Sequence, residues 1–519
     1  MHEISTQLLV IGGGVTGLGV AWDACLRGLK VVLIEQSDIG QGTSGRYHGL
    51  LHSGARYVIS DSSSAKECAT ENQILRFIAP HTIEDTGGLF VATPADPVDY
   101  PDRWFTACHE HDVYAEEIPT EQALQIEPNL NPRISRAFRV RDASLDSFEL
   151  LNSLVSAIQK AGGLVWLRHR LESLTLDGNT IAAAQVKNLI SGERVTISAD
   201  FFVNAAGPWA RQIASFASIE FPIALGKGTM VALASRPVQT IINRCRWPSD
   251  GDIIVPVGAV AVLGTTDIEV QSPTELTIEP REIDLLLAQC EILLPELSKY
   301  RPLRAWAGVR PLYRPVRGEI GSTRALPRGH VLLDHAERDG VQRMVSIFGG
   351  KLTTFRLMAE HVVDMVADRL GTGSSCRTAD TPLDPDRRDY FQLSTRLMDM
   401  ETSAGSDRKQ IICECELVTR SAIEEAFRSS SSPDLDEVRR DLRLGMGPCQ
   451  AGFCAYRAAG IAHEIMPSPP ADGGLIEFLG ERWRGISPLG WGETLQQMEL
   501  TRRIYFDLLH THKLRNLPK

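Results

Sequence analysis

Three sets of residues in this sequence have types and spacings suited to chemistry. The first is Gly12-x-Gly14-x-x-Gly17, with an acid, Glu35, 18 residues beyond the last glycine. Glycines at this spacing make a tight turn, let backbone amides approach a pyrophosphate and let a helix pack closely on a strand. The helix N-terminus then offers unpaired N–H groups and partial positive charge to phosphates, and Glu35 can accept both ribose hydroxyls. The second set is three further small-residue segments: Gly40-Gln41-Gly42-Thr43-Ser44-Gly45, Asn204-Ala205-Ala206-Gly207-Pro208-Trp209 and Gly349-Gly350-Lys351-Leu352-Thr353-Thr354. A nicotinamide ligand needs little beyond the first half-domain, whereas an FAD lying extended uses such distant contacts. Gly42, Thr43, Ser44, Ala206, Gly207, Gly349, Gly350 and Thr353 are therefore expected beside it. The third set is Cys413-x-Cys415 and Cys449-x4-Cys454, separated by 33 residues, while the other six cysteines are scattered. In a reducing compartment, close pairs point to a metal or cluster before disulfides.

The elements that must position these residues are legible around them. Gln7 to Ile11 is an apolar run feeding the first glycines, and Val15, Leu18, Trp22 and Cys25 form one stripe of a following helix. Val31 to Ile34 reads as a buried strand ending at Glu35, which completes a βαβ unit. Phe201 to Asn204 and Met344 to Phe348 are two more buried strands, each stopped by a small-residue turn. A helix follows the second to about Leu370, with Phe355, Met358, Val362 and Met365 on one face. From Gly371 to about Lys409 the chain is rich in Gly, Ser, Thr, Asp and Pro, with one amphipathic stretch near Tyr390 to Met400, and 371–410 is expected to be a linker. In the cysteine segment, Ser421-Ala422-Ile423-Glu424 resembles a capping box, and Asp434 is placed to cap a second helix that Gly445 would end. Pro467-Ser468-Pro469-Pro470 suggests an extended hinge.

Composition narrows the class. A length of 519 residues favours about three domains. Apolar residues at 43% and charged residues at 23% are ordinary globular usage. The formal charge of −11 lacks the basic footprint of a nucleic-acid binder. No apolar run approaches the ~20 residues that span a bilayer. The start lacks a basic and apolar leader, so a cytosolic chain is expected.

Longer strings carry a resemblance. Gly40 to Tyr57, Val203 to Trp209, Ala307-Gly308-Val309-Arg310-Pro311-Leu312 and Phe348 to Arg356 together resemble FAD-dependent glycerol-3-phosphate dehydrogenases. His48-Gly49-Leu50-Leu51-His52-Ser53-Gly54-Ala55-Arg56-Tyr57, Ile242 to Arg246 and Leu332 to Gly340 are similar to the large (A) subunit of the anaerobic, quinone-linked branch. The resemblance implies an α/β chain with a Rossmann-like FAD domain of the DAO/glutathione-reductase type over 1–370. It also implies an α+β substrate cap inserted at roughly 90–145 and 225–325, so that the FAD domain is discontinuous. It implies oxidation of sn-glycerol 3-phosphate to dihydroxyacetone phosphate. The electrons would pass to a second flavoprotein subunit, then to an iron–sulfur membrane-anchor subunit, then to a quinone. A chain without spans would then sit on the cytoplasmic face of the inner membrane through those partners.

By motif position the resemblance makes His52 the base for the hydroxyl proton, with His48 the weaker competitor. Arg56, Arg310 and Lys351 become the donors for the phosphate, where planar forks and a point cation suit a near-dianion. Residues 411–462 resemble the BFD-like [2Fe–2S] domain, with Cys413, Cys415, Cys449 and Cys454 as ligands, and 463–519 form a tail that is a candidate subunit-docking surface. A structural Cys₄ zinc site is the competing reading of the same four residues. Two departures stand out: Met230 occupies a position where aerobic relatives carry His, and Glu149 replaces a basic residue expected in the substrate wall. An FAD-dependent amine or imino-acid dehydrogenase of the hydroxyproline type, and a non-catalytic FAD-binding scaffold, are the alternatives in function.

Overall fold

The computed structural model describes residues 2–314, 323–385, 397–398, 410–429, 434–466 and 474–511. The amphipathic stretch expected near Tyr390 to Met400, apart from 397–398, and the hinge at Pro467 to Pro470 lie outside them.

The opening strand, His2–Ile11, has Leu8, Leu9, Val10 and Ile11 all buried. Burial on both faces is what the centre of a parallel sheet demands. It pairs in parallel with Val31–Ile34 on one side and Arg194–Asn204 on the other. Leu164–Trp166 extends the sheet beyond Val31–Ile34, and Met344–Gly349 lies beside Arg194–Asn204, both again parallel. An antiparallel flank of His169–Asp177 and Thr180–Asn188 runs onto the start of Arg194–Asn204, and His330–Asp334 pairs antiparallel with Met344–Gly349, completing eight strands. The register aligns Ile11 with Ile34 and Asn204, and Asn204 with Ser346. Four adjacent strands therefore end at one edge, and the glycine turn, Glu35 and two of the three other small-residue segments emerge together there. That edge is where ligands bind in open α/β sheets.

Helices Val15–Leu26, Ser147–Lys160 and Phe355–Leu370 cover one face, burying Leu18, Trp22, Leu154, Phe355 and Val362. A Cβ at Gly19 would lie 2.8 Å from the Phe355 ring, so the first and last of these helices meet through a glycine. The other face packs Leu9, Ile11, Phe202, Phe221 and Phe348. Residues 371–385 fold back on this domain: Leu383 is buried and its N–H donates to the Ile78 carbonyl at 2.7 Å.

A second, nine-stranded sheet draws its strands from Gly88–Ala92, Ala115–Ile118 and Arg136–Val140, and from six strands between Ile223 and Tyr313. Its longest pairing joins Ile223–Leu233 to Pro302–Tyr313. This pairing carries Arg310 from the second sheet to the edge of the first.

The cysteine segment forms a hairpin, Ile411–Cys413 with Val418–Thr419, followed by helices Arg420–Ser429, Leu435–Leu442 and Cys454–Ile465. Asp434 caps the second helix, accepting from Glu437 N–H at 2.7 Å. The first helix departs from expectation. It begins at Arg420, so Ser421 lies inside it, and the Thr419 hydroxyl accepts from Ala422 N–H at 3.3 Å instead. The hairpin causes this, because Arg420 N–H closes on the Gln410 carbonyl. The second helix ends at Leu442, ahead of Gly445, with Arg443 left-handed and held by Glu416 and Asp146.

This module is docked on the others by polar contacts. Arg440 pairs with Asp38, Arg443 with Asp146, and Arg168 with Asp434. Arg301 donates to the Pro448 carbonyl from the cap side. Helix Leu475–Ile486 packs on strand Pro302–Tyr313, and Leu489 enters the core of the cap.

Candidate active site

A cavity of about 1050 Å³ opens at the edge of the first sheet. That is at or above the upper end of ordinary small-molecule sites. It starts at Gly12, Gly14 and Glu35 and continues along Gly42, Thr43 and Ser44, then Ala206, Gly207, Gly349 and Gly350. The glycines have different reasons. Gly12 has φ +116° and a Cβ there would lie 2.7 Å from the Ala205 carbonyl oxygen, while one at Gly17 would lie 2.0 Å from the Gly12 carbonyl oxygen. Those two make the turn and the helix contact, and Gly17 sits beneath the cavity. At Gly14 the nearest atom within 4 Å is Ser44 Oγ at 3.4 Å, so the backbone there faces open space. The Ser44 hydroxyl accepts from Val15 N–H at 3.0 Å, which sets it at the helix N-terminus. Glu35 accepts from Gly13 and Ser37 N–H groups at 2.7 and 2.8 Å. Its burial raises its pKa against those bonds.

The far end of the same cavity is lined by His48, His52, Arg56, Arg310 and Lys351. His52 is held through its backbone: its N–H donates to Thr353 Oγ1 at 3.1 Å and its carbonyl accepts from Asn72 at 3.1 Å. Thr353 is therefore a support under His52 and is absent from the lining. The His48 and His52 rings stand edge to face at 5.9 Å, and Tyr57 lies 5.3 Å from His52. His48 Nδ1 accepts from Leu50 N–H at 3.2 Å, which places its ring proton on Nε2. Burial, with Arg56 and Arg310 nearby, pushes His48 down to about 3. Burial, His48, Lys351 and Arg56 push His52 well below its usual range. Both imidazoles are neutral at pH 7, the form that accepts a proton.

The cations are oriented by acids. Arg56 pairs with buried Asp252 at 2.7 Å, and Arg310 with buried Asp267 at 2.7 Å while also donating to the Thr266 carbonyl. Lys351 donates to the Arg328 carbonyl at 3.2 Å and lies 4.5 Å from the Tyr57 ring centre. Burial, with Arg328 and Arg324 adding to it against Asp267, brings Arg310 down to about 10, still charged at neutral pH. Arg324 and Arg328 also line this end. Sequence reasoning missed both, because they lie in a loop with no periodic pattern; their only signal is a pair of arginines four residues apart soon after Arg310.

The two departures resolve differently. Met230 is buried under the site, with its side chain against Gly264, which also borders His48. Glu149 does not form a substrate wall: it is buried in the first turn of helix Ser147–Lys160 and does not line the cavity.

The four cysteines of the C-terminal module are brought together. Their thiols form a chain of hydrogen-bonding neighbours, Cys413 to Cys454 to Cys449 to Cys415. Contact with Cys454 and backbone N–H groups of Gly445 and Glu416 lower Cys413; contact with Cys415 and Cys454 and the N–H groups of Gly452 and Ala451 lower Cys449. Gln450 and Ala451 both have positive φ, so the two extra residues of Cys449-x4-Cys454 form a left-handed turn that aims those amides. A Cβ at Gly447 would lie 2.3 Å from Cys415 Cβ, so the loop needs glycine to wrap the site. Among the described residues no three ligating side chains converge as a single ion requires. Paired thiolates spread over two irons suit this layout and amide-lined cradle.

Comparison with known proteins agrees. Residues 7–364 match the family described as FAD dependent oxidoreductase, and residues 411–464 match the BFD-like [2Fe-2S] binding domain. The chain is 39% identical to the large (A) subunit of the anaerobic glycerol-3-phosphate dehydrogenase of Escherichia coli K12, over 98% of both chains. It is 38% identical to the A1 subunit of the Haloferax volcanii enzyme of the same name, over 96% of this chain and 90% of that one. In fold it is similar to the FAD-complexed glycerol-3-phosphate dehydrogenase of Bacillus halodurans, with a TM-score of 0.58 at 22% identity, covering 98% of this chain and 95% of that one. FAD and a [2Fe–2S] cluster are the cofactors of this two-part chain. It belongs to the family of FAD-dependent oxidoreductases that includes the large subunits of anaerobic glycerol-3-phosphate dehydrogenases.

Proposed function

We propose that the chain oxidises sn-glycerol 3-phosphate to dihydroxyacetone phosphate and sends the electrons through its [2Fe–2S] cluster to partner subunits and a membrane quinone. One observation carries the reading: a single cavity joins a glycine-lined track to an end where two neutral imidazoles face Arg56, Arg310, Arg324, Arg328 and Lys351. FAD, when bound, accepts the hydride of the alcohol carbon. The chain does the rest. The arginines and Lys351 hold the phosphate, whose near-double charge suits that many cations better than a carboxylate does. Asp252 and Asp267 fix Arg56 and Arg310 so that less side-chain freedom is lost on binding. His52 takes the hydroxyl proton at a ring nitrogen, and His48 Nε2–H is a donor beside it. A bound dianion offsets the cations that depress His52, so the imidazole becomes a better base once substrate is seated.

The names of the large-subunit relatives imply further subunits. Among the described residues no helix is long and apolar enough to cross a membrane, so contact with a quinone requires partners on the cytoplasmic face. Exposed Phe453 and Tyr456 flank the ligand Cys454, and Trp483, Trp491 and Leu495 are exposed on the tail helices or beside them. These are the places we assign to partner contact. The substrate is tested by flavin bleaching under nitrogen. Glycerol 3-phosphate should bleach it, while glycerol, proline and hydroxyproline should not. Bleaching by an amino or imino acid alone would replace the reading, and flavin indifferent to all would leave a scaffold.

A further inference from the structure

A group of arginines lies between the flavin cavity and the cysteine cluster. Arg46 and Arg484 line the cavity. Arg304, on strand Pro302–Tyr313, lies against helix Leu475–Ile486: a Cβ at Gly485 would sit 2.7 Å from its guanidinium carbon. Arg482, on that helix, is 4% exposed and donates from Nη1 to the Gly445 carbonyl at 3.0 Å. The N–H of the same Gly445 points at Cys413, and Arg482 also feels the charge of Cys454.

The nearby acids are already engaged. Asp436 pairs with Arg439 and Arg440, and Glu481 with Arg484 at 2.8 Å. Arg304 Nη2 reaches only the Glu481 backbone carbonyl, at 3.4 Å. Arg304 Nη1 and Arg482 Nε have no hydrogen-bond partner, and neither residue has a carboxylate partner among the described residues. A buried cation without a counter-charge costs several kcal/mol. Burial and Arg439 lower Arg304 to about 9, and burial with Arg304 lowers Arg482, yet a guanidinium stays protonated at neutral pH. The counter-charge this site calls for is the anionic tetrathiolate cluster beside Arg482. That cluster gains one further negative charge on reduction, without a proton to cancel it.

We propose that Arg304 and Arg482 are buried counter-charges that raise the reduction potential of the [2Fe–2S] cluster. Net charge and local hydrogen bonding are levers on such potentials, and charges act strongly across a poorly solvated interface. Electron exit through the cluster, proposed above, gives the arrangement its use, but the potential can be measured without it.

The test is a potentiometric titration of the full-length chain, loaded with FAD and cluster under nitrogen and followed by the electron paramagnetic resonance of the reduced cluster. Arg482→Met should lower the reduced-to-oxidised ratio about tenfold at a fixed potential, ~59 mV for one electron. Arg482→Lys, which keeps the charge, should restore most of it. If Arg482→Met fails to retain iron and sulfide, Arg304→Met and Arg304→Lys decide by the same contrast. An unchanged ratio in loaded Met variants, or equal shifts for Met and Lys, would overturn the proposal. Flavin that substrate bleaches while the cluster stays oxidised would overturn the exit route alone, with the shift still standing.

Discussion

His52 is held where it is by two backbone hydrogen bonds and kept neutral by burial and cations. Its side chain is free to be replaced without unseating the loop, so His52→Gln should keep flavin content while kcat falls about 10²–10⁴-fold, the usual worth of a positioned base. The sign of the pH effect follows from the depressed imidazoles. A group with lowered pKa loses its proton early, so kcat/KM should be flat through the neutral and mildly alkaline range and fall only on acidification. An alkaline limb at pH 7–9 in steady-state assays would contradict His52 as base. Arg310→Ala should raise KM for glycerol 3-phosphate about 10–100-fold, the worth of a charge-assisted hydrogen bond of ~1.5–3 kcal/mol. Its effect on free glycerol should be small; equal effects would remove Arg310 from the phosphate site. His52, Arg56, Arg310 and Lys351 are legible in the sequence because they stand in long motif strings, and the fold does bring them to one cavity. Arg324 and Arg328 are not, since nothing local marks a loop that tertiary structure turns inward.

At the scale of elements, the first strand, its glycine turn and its helix are readable because buried parallel strands and amphipathic helices write their period into the sequence. The convergence of distant small-residue segments is legible only as a requirement of the ligand. Its physical cause is register, with Ile11, Ile34, Asn204 and Ser346 aligned at one edge. The helix cap at Thr419 escapes a reading of the sequence because two hydroxyl residues stand two apart and only the hairpin pairing of Arg420 selects between them. The glycines give a paired test. Gly17→Ala drives a methyl to 2.0 Å from a carbonyl oxygen and should lower thermal stability and flavin content together. Gly14→Ala has room at 3.4 Å and should fold normally but hold FAD more weakly, measured by flavin retention on gel filtration. Gly447→Ala should remove iron and sulfide while leaving FAD bound, because its Cβ would lie 2.3 Å from that of Cys415.

For the whole molecule, the cysteine module is recognisable by spacing, but its placement is not. Its anchors join residues far apart in sequence: Asn152 with Asp441 across 289 positions and Asp38 with Arg440 across 402. Such pairs leave no periodic trace. They hold the thiolates on the flavin domain, and the tail helices that close the gap bring Arg482 and Arg484 with them. The central claim is that reducing equivalents enter at the His52 end of the cavity and leave through the four thiolates. The most direct measurement adds glycerol 3-phosphate to the anaerobic, fully loaded chain and follows flavin absorbance and cluster paramagnetic resonance together, with Cys449→Ser as the control. The account predicts that both centres of the native chain become reduced and that only the flavin does in the variant. A flavin that stays oxidised, or a native cluster that stays silent beside a bleached flavin, would contradict it.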